Sequence, residues 1–196
     1  MLKDLIIIPN FFDNPHEIVE IAKQQKYYTV EDHPEDKDSR VSWGGNRTEK
    51  LEIILNSDIN KLIKETVINK ILGSDIPDQT KKSITYWGHS FFHFFTKEYK
   101  AESKNIHKDS GLYAGVIYLN DCVLEDKTNY GTIIFNKDRE EFIMPYEFNT
   151  AIFYRSDFMH SPLNGFGNTV NDSRLSLSFF IEELNFNLHR NTLNTL

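Results

Sequence analysis

The sequence has a single cysteine, Cys122, among 196 residues. That excludes an internal disulfide and suits the reducing cytoplasm of a bacterium, or of a host cell if the source is viral. No apolar run approaches the length needed to cross a bilayer, so no membrane partner is expected. The opening MLKDLIIIPNFF has a short aliphatic block and no small-residue cleavage site, and it reads as a first strand rather than a secretion signal. Basic residues are outnumbered, with 22 Lys and Arg against 29 Asp and Glu for a formal charge of −7. Such a balance argues against a binder of phosphate backbones, which needs clustered cations, and favours a peptide or small-molecule partner over nucleic acid. Nothing in the sequence sets an oligomeric state.

What is present is a globular composition, 39% hydrophobic and 13% aromatic, of a length that suits one core. DNPHEIVEIAKQQ predicts a helix, with Asn14 as cap, Pro15 at the first helical position, Glu17 three residues after the cap, and Ile18, Ile21 and Ala22 at helical spacing. Residues 31–50, EDHPEDKDSRVSWGGNRTEK, read as a surface loop long enough to carry function, with His33 solvated among charges. Leu55, Ile59, Leu62, Ile63 and Thr66 follow helical spacing, and Gly73 suits a helix end. After residue 82 come short aromatic and β-branched segments separated by turns, the pattern of an antiparallel sandwich or barrel. The layout is α+β, and the polar ending NFNLHRNTLNTL reads as a tail.

One stretch, SKNIHKDSGLYAGVIYLND, carries the chemistry. In an extended segment His107 and Asp109 point to one face and can present an imidazole and a carboxylate to one point. His160, in YRSDFMHSP, is the third candidate ligand. Two imidazoles and one carboxylate leave open positions, an arrangement that favours non-haem Fe(II) over closed structural zinc. In SRLSLSFFI, Arg174, Ser176 and Ser178 share one face, and Leu175, Leu177 and Phe179 share the other. Taken alone this is an amphipathic strand with its polar side in water. In one sandwich with His160, however, an inward Arg174 offers a planar fork for a carboxylate, with both serines as added donors.

The order His107-x-Asp109, VIYLN, YGTIIF, distal His160 and Arg174-x-Ser176 resembles the iron(II)- and 2-oxoglutarate-dependent dioxygenases, in particular their prolyl-4-hydroxylase-like branch. The resemblance covers residues 84–183. More faintly, PNFFDNPHEIVEIA and WGGNRTEK look like the lead-in of bacterial and viral members. It implies a double-stranded β-helix, a jelly-roll core at 83–184 with N-terminal helices (1–80) packed on one sheet, in a single domain 1–184 followed by a tail at 185–196. It also implies Fe(II) on His107, Asp109 and His160, with 2-oxoglutarate and O2 as co-substrates. Arg174 would take the distal carboxylate of 2-oxoglutarate, which Tyr118 also reaches in related enzymes, with Ser176 and Ser178 in support. The stretch from His160 to Arg174 is longer than usual in the family. Phe180 stands where the nucleic-acid demethylase branch has a second arginine, and Asp109 stands where halogenases have a small residue.

The expected activity is therefore hydroxylation of a peptidyl, prolyl-like, or amino-acid substrate. A non-catalytic jelly-roll binding or virion-associated module, and a zinc hydrolase using the same triad, are the rival readings. Trp43, Arg47 and Tyr99 are candidates for contact with substrate, and for Trp43 and Arg47 an ordinary surface turn is the competing account. His89 and His93 read as core or cavity-lining residues. Tyr86 and Trp87 read as packing.

Overall fold

The computed structural model describes residues 4–36, 43–55, 61, 63, 65, 66, 68–70 and 84–186. The helix end expected at Gly73 and the tail beyond 186 lie outside them.

Two antiparallel sheets make the body of the protein. The strands are β1 (Leu5–Ile8), β2 (Asn46–Arg47), β3 (Ile84–Phe95), β4 (Tyr113–Tyr118), β5 (Thr132–Phe135), β6 (Glu141–Met144), β7 (Ala151–Arg155), β8 (Met159–Pro162) and β9 (Arg174–Phe186). The large sheet has the order β1-β7-β4-β9-β3-β2 and the small one β6-β5-β8. At the centre of the large sheet, β4 is buried at every position, which is why its sequence is continuously apolar instead of alternating.

Strand periodicity divides the core in two. Leu175, Leu177 and Phe179 of β9, Ile117 of β4 and Phe92 of β3 form one apolar cluster with Ile18, Val19 and Ala22 of helix α1 (Pro15–Lys23) and with Ile63 and Ile68. The opposite face carries Ala114, Val116, Tyr118, Ile152 and Tyr154, which pack with Ile134 of the small sheet. Helices thus cover one face of the large sheet and the small sheet covers the other. That second face carries the site.

Asn14 is the helix cap as expected, and two other local expectations, for His33 and Trp87, are corrected. Pro15 opens α1, but the Asn14 side chain makes no capping bond; instead the Asn14 carbonyl accepts from the Glu17 amide at 3.2 Å. His33 is fully buried, because the chain returns from residue 43 to pair Arg47 with Tyr28 and with His93 and closes over it. Helix α2 (Leu51–Ile54) is a single turn, with further helical residues between 61 and 70. Trp87 is 63% exposed on β3, so it is not a packing residue, and the Tyr86 side chain lies outside the described residues. Among the described residues no helix is long and apolar enough to cross a membrane.

Candidate metal centre

His107 follows a 3-10 turn at Ser103–Asn105 and pairs as an isolated bridge with His160 on β8. Their amides and carbonyls exchange two hydrogen bonds, of 3.0 and 2.9 Å. Residues so opposed present their side chains on the same face. Asp109 is fixed beside them, its amide donating to the Ser156 carbonyl at 3.0 Å. Main-chain pairing between segments distant in sequence therefore brings the three side chains together.

One ligating atom from each of His107, Asp109 and His160 lies within 4.8 Å of the others. Asp109 Oδ1 is 3.4 Å from His107 Nε2, and Oδ2 is 3.1 Å from His160 Nε2. Donors at about 2.1 Å from a shared ion and at right angles stand about 3.0 Å apart, so the spacing fits a divalent transition metal. Each imidazole places Nδ1 on a main-chain carbonyl, His107 on Asn105 at 2.8 Å and His160 on Phe158 at 3.1 Å. A carbonyl only accepts, so Nδ1 carries the proton and Nε2 is aimed at the shared point, as in most metal-binding histidines. His160 is buried and Asp109 nearly so, whereas the His107 side chain is 53% exposed. The site is buried at His160 and open at His107.

Burial pushes the Asp109 carboxyl up, but hydrogen bonds and charge from His107 and His160 overcome this and hold it well below the usual carboxylate range. The hydrogen bond to Asp109 raises His107, against a smaller opposing effect of burial.

The triad opens on a cavity of about 630 Å³ that is also lined by Arg174, Ser176, Ser178, Thr132, His93, Phe95, Tyr99, Trp43 and Arg47. Arg174 is 1% exposed. Its Nε donates to the Tyr130 carbonyl at 2.6 Å, and one terminal nitrogen donates to the Gly131 carbonyl at 2.9 Å and to Thr132 Oγ1 at 3.3 Å. Among the described residues no carboxylate pairs with it. A buried cation held only by neutral acceptors is costly unless an anion joins it, so the residues present fit an anionic ligand beside the metal.

The other candidates divide. The Tyr118 ring lies against the Arg174 guanidinium at 5.5 Å, and its hydroxyl bonds Thr132 Oγ1 at 2.8 Å; the residue is fully buried and does not line the cavity. Ser176 donates to the His93 carbonyl at 3.3 Å, while Ser178 faces the cavity. Trp43, Arg47 and Tyr99 all line it, Tyr99 accepting from Asn105 Nδ2 at 3.1 Å. His93 lines it too, with Nε2 donating to the Gly44 carbonyl at 2.6 Å. Burial pushes its pKa down to about 3, so the ring is neutral at physiological pH. His89 stacks on Phe180 instead. Sequence reasoning passed over Thr132, which joins Arg174 to Tyr118, and Asp36, which pairs with Arg47. The YGTIIF segment was the available signal for the first; nothing local marked the second.

No protein-family model and no curated protein matches the sequence. Solved structures do match. A Pseudomonas putida prolyl-4-hydroxylase aligns over 92% of both chains with 12% identity and a TM-score of 0.61. A 2OG-Fe(II) oxygenase family protein from Burkholderia pseudomallei aligns over 91% of this chain and 85% of its own, with 12% identity and a TM-score of 0.57. A prolyl hydroxylase in complex with a hypoxia inducible factor peptide fragment, from Trichoplax adhaerens, aligns over 91% and 83%, with 11% identity and a TM-score of 0.54. At such identities the likeness is one of fold, and the shared fold is one found in 2OG-Fe(II) oxygenases and prolyl hydroxylases.

Proposed function

We propose that the protein is an Fe(II)- and 2-oxoglutarate-dependent oxygenase that hydroxylates a peptidyl, prolyl-like, or amino-acid substrate and releases succinate and CO2. One observation carries the reading: the His107, Asp109 and His160 donor set shares a cavity with the buried Arg174, which has no acidic partner among the described residues. In this reading the two facing sheets are the double-stranded β-helix of a single domain, 1–184. A peptide substrate draws support from the peptide bound to the Trichoplax prolyl hydroxylase.

His107 and His160 would hold the metal through Nε2 and Asp109 through its carboxylate, on one side, leaving the cavity side open. Arg174 would hold the distal carboxylate of 2-oxoglutarate, steadied by Thr132 and, through it, Tyr118. Ser178 faces the same space. Bound Fe(II), 2-oxoglutarate and O2 would supply the oxidising power that converts a C–H bond to C–OH. The chain's own work is positional. Asn105 and Phe158 fix the imidazole tautomers, Tyr154 packs at a tilt against His160 with ring centres 4.7 Å apart, and Phe91, Phe95 and Tyr99 give the cavity apolar walls that exclude water.

Anaerobic titration of the metal-free protein with Fe(II) and 2-oxoglutarate tests the reading. The expected result is a weak visible charge-transfer band that requires both additions and is absent in Asp109→Ala. A wild-type protein that shows no band at any concentration while binding zinc tightly would overturn it.

A further inference from the structure

One wall of the cavity is built from residues that oxygen chemistry does not use. Strand β2 places Arg47 opposite His93 of β3, and His93 lies opposite Ser176 of β9. Opposed residues project to one face, so Arg47 sits on the face that carries Ser176 and Arg174, two strand spacings or roughly 10 Å from Ser176. Its guanidinium carbon is 4.3 Å from the ring centres of both Trp43 and Phe91. A terminal nitrogen is paired with Asp36, which also accepts from Trp43 Nε1 at 3.3 Å. Stacked on two rings and tied at one end, this fork has lost most of its rotamer freedom before any ligand arrives. Such preorganisation lowers the cost of binding a carboxylate. The other donors of Arg47 have no partner among the described residues, and one of them, Nε–H, is buried.

The charge balance points the same way. The cavity lining carries four side-chain cations, Arg47, Lys104, Lys108 and Arg174, against one carboxylate, Asp109, in a chain whose net charge is −7. Arg47 is tied to Asp36 and Lys104 to Glu102, whereas Lys108 is exposed and has no acidic partner among the described residues. With Asp36 and Glu102 counted one positive charge is left over, and since a dication on the triad and a dianionic co-substrate cancel each other, the proposed cofactors leave that charge in place.

We infer that the substrate bears a carboxylate, held on the stacked guanidinium of Arg47 with Lys108 adding attraction at the mouth of the cavity. The inference rests on the oxygenase reading, because it concerns the substrate of that same cavity. A free acid and an acidic side chain of a peptide share this chemistry, and the test separates them.

In a Trp87→Phe chain Trp43 is the sole tryptophan, and its contact with Arg47 makes its fluorescence a local reporter. This chain, held anaerobic with Fe(II) and saturating 2-oxoglutarate so that Arg174 is occupied, is titrated with two panels. One pairs N-acetyl amino acids with their amides. The other pairs blocked peptides containing Asp or Glu with their Asn or Gln counterparts. The expected result is saturable binding of an acid from one panel, at least tenfold weaker for its neutral partner and at least tenfold weaker in Arg47→Gln. Lys108→Gln, an exposed change that does not threaten folding, should weaken binding severalfold, and Arg47→Lys should retain part of it.

Equal binding of acids and neutral partners, no binding by any probe, or undiminished binding in Arg47→Gln would overturn the inference. Failure of the charge-transfer band with acid binding retained would instead sink the oxygenase reading alone. A normal band without preference for acids would sink the inference alone.

Discussion

Replacing Arg174 with methionine separates the role of this residue in the fold from its role in binding. The side chain is 1% exposed, and its hydrogen bonds run to two main-chain carbonyls and one hydroxyl. Methionine fills a similar volume with a flexible apolar chain. Two opposing effects set the stability of the variant. Each acceptor left buried without a donor costs about 1 to 3 kcal/mol. Against that, a cation without an acidic partner leaves the interior, which relieves a desolvation penalty of several kcal/mol. The effects are of similar size, so the variant should fold, with a Tm changed by only a few degrees. The co-substrate has no such compensation. A charge-assisted hydrogen bond contributes about 1.5 to 3 kcal/mol, and losing a two-bonded grip of about 3 to 4 kcal/mol should weaken 2-oxoglutarate binding on the order of 10² to 10³-fold. The anaerobic charge-transfer titration reads that affinity directly, and Arg174→Lys, which keeps the charge but not the fork, should fall between. A folded Arg174→Met protein that binds 2-oxoglutarate within about threefold of wild type would refute the assignment.

Three further outcomes follow from the geometry. Metal must displace the proton that Asp109 stabilises on His107, so Fe(II) or Mn(II) affinity should rise as pH rises through the raised His107 value; flat affinity between about pH 6 and 8 would count against that site. Tyr118→Phe removes the 2.8 Å bond to Thr132 and should cost about 1 kcal/mol of stability, with 2-oxoglutarate affinity reduced only severalfold; a loss as large as that of Arg174→Met would mean that the hydroxyl touches the ligand. Gly131→Ala would set a Cβ 1.6 Å from the Met144 carbonyl oxygen, so the backbone that supplies an acceptor to Arg174 must move; chemical denaturation should show a loss of about 1 to 3 kcal/mol or more, and an unchanged midpoint would refute the close approach.

What the sequence showed and what it hid divide along the line between local and long-range order. The alternation of Arg174 and Ser176 with Leu175 and Leu177 is a property of one strand, and it places the polar side toward the cavity and the apolar side toward α1 as expected. His107 and Asp109 are likewise neighbours whose shared face follows from extended backbone. The position of His160 depends on a main-chain bridge to His107, which spacing alone does not reveal, although the sequence already offers it as the third candidate ligand. The expectation of a solvated His33 failed for the same reason in reverse. The charges around it suggest solvent, and Pro34 and Glu35 are exposed as they suggest, yet His33 is buried because Arg47 pairs with Tyr28 and His93, and nothing near His33 announces that closure. The acceptors on Arg174 are main-chain carbonyls of Tyr130 and Gly131, to which no side-chain motif points.

The hydrogen bonds of the triad explain how the three proposed ligands stay gathered without an ion. His107 donates from Nδ1 to the Asn105 carbonyl, which can only accept, so an Nε2 that also donates to Asp109 belongs to an imidazolium. The proton there does the work that a bound ion would take over. The sign of its contribution is set by both partners. Stability from the depressed Asp109 is present above an unfolded pKa of about 4 and is lost as pH falls through the lower folded value. Stability from the raised His107 is present below about 6.5 and is lost as pH rises through the higher folded value. Between these limits the metal-free site is held closed by its own charges. As pH rises and the His107 proton leaves, the same geometry exposes a lone pair at Nε2, 3.4 Å from Asp109. The site therefore loses its internal closure over the range in which it becomes competent to bind a cation, and metal binding should stabilise the chain most on the alkaline side of the His107 titration.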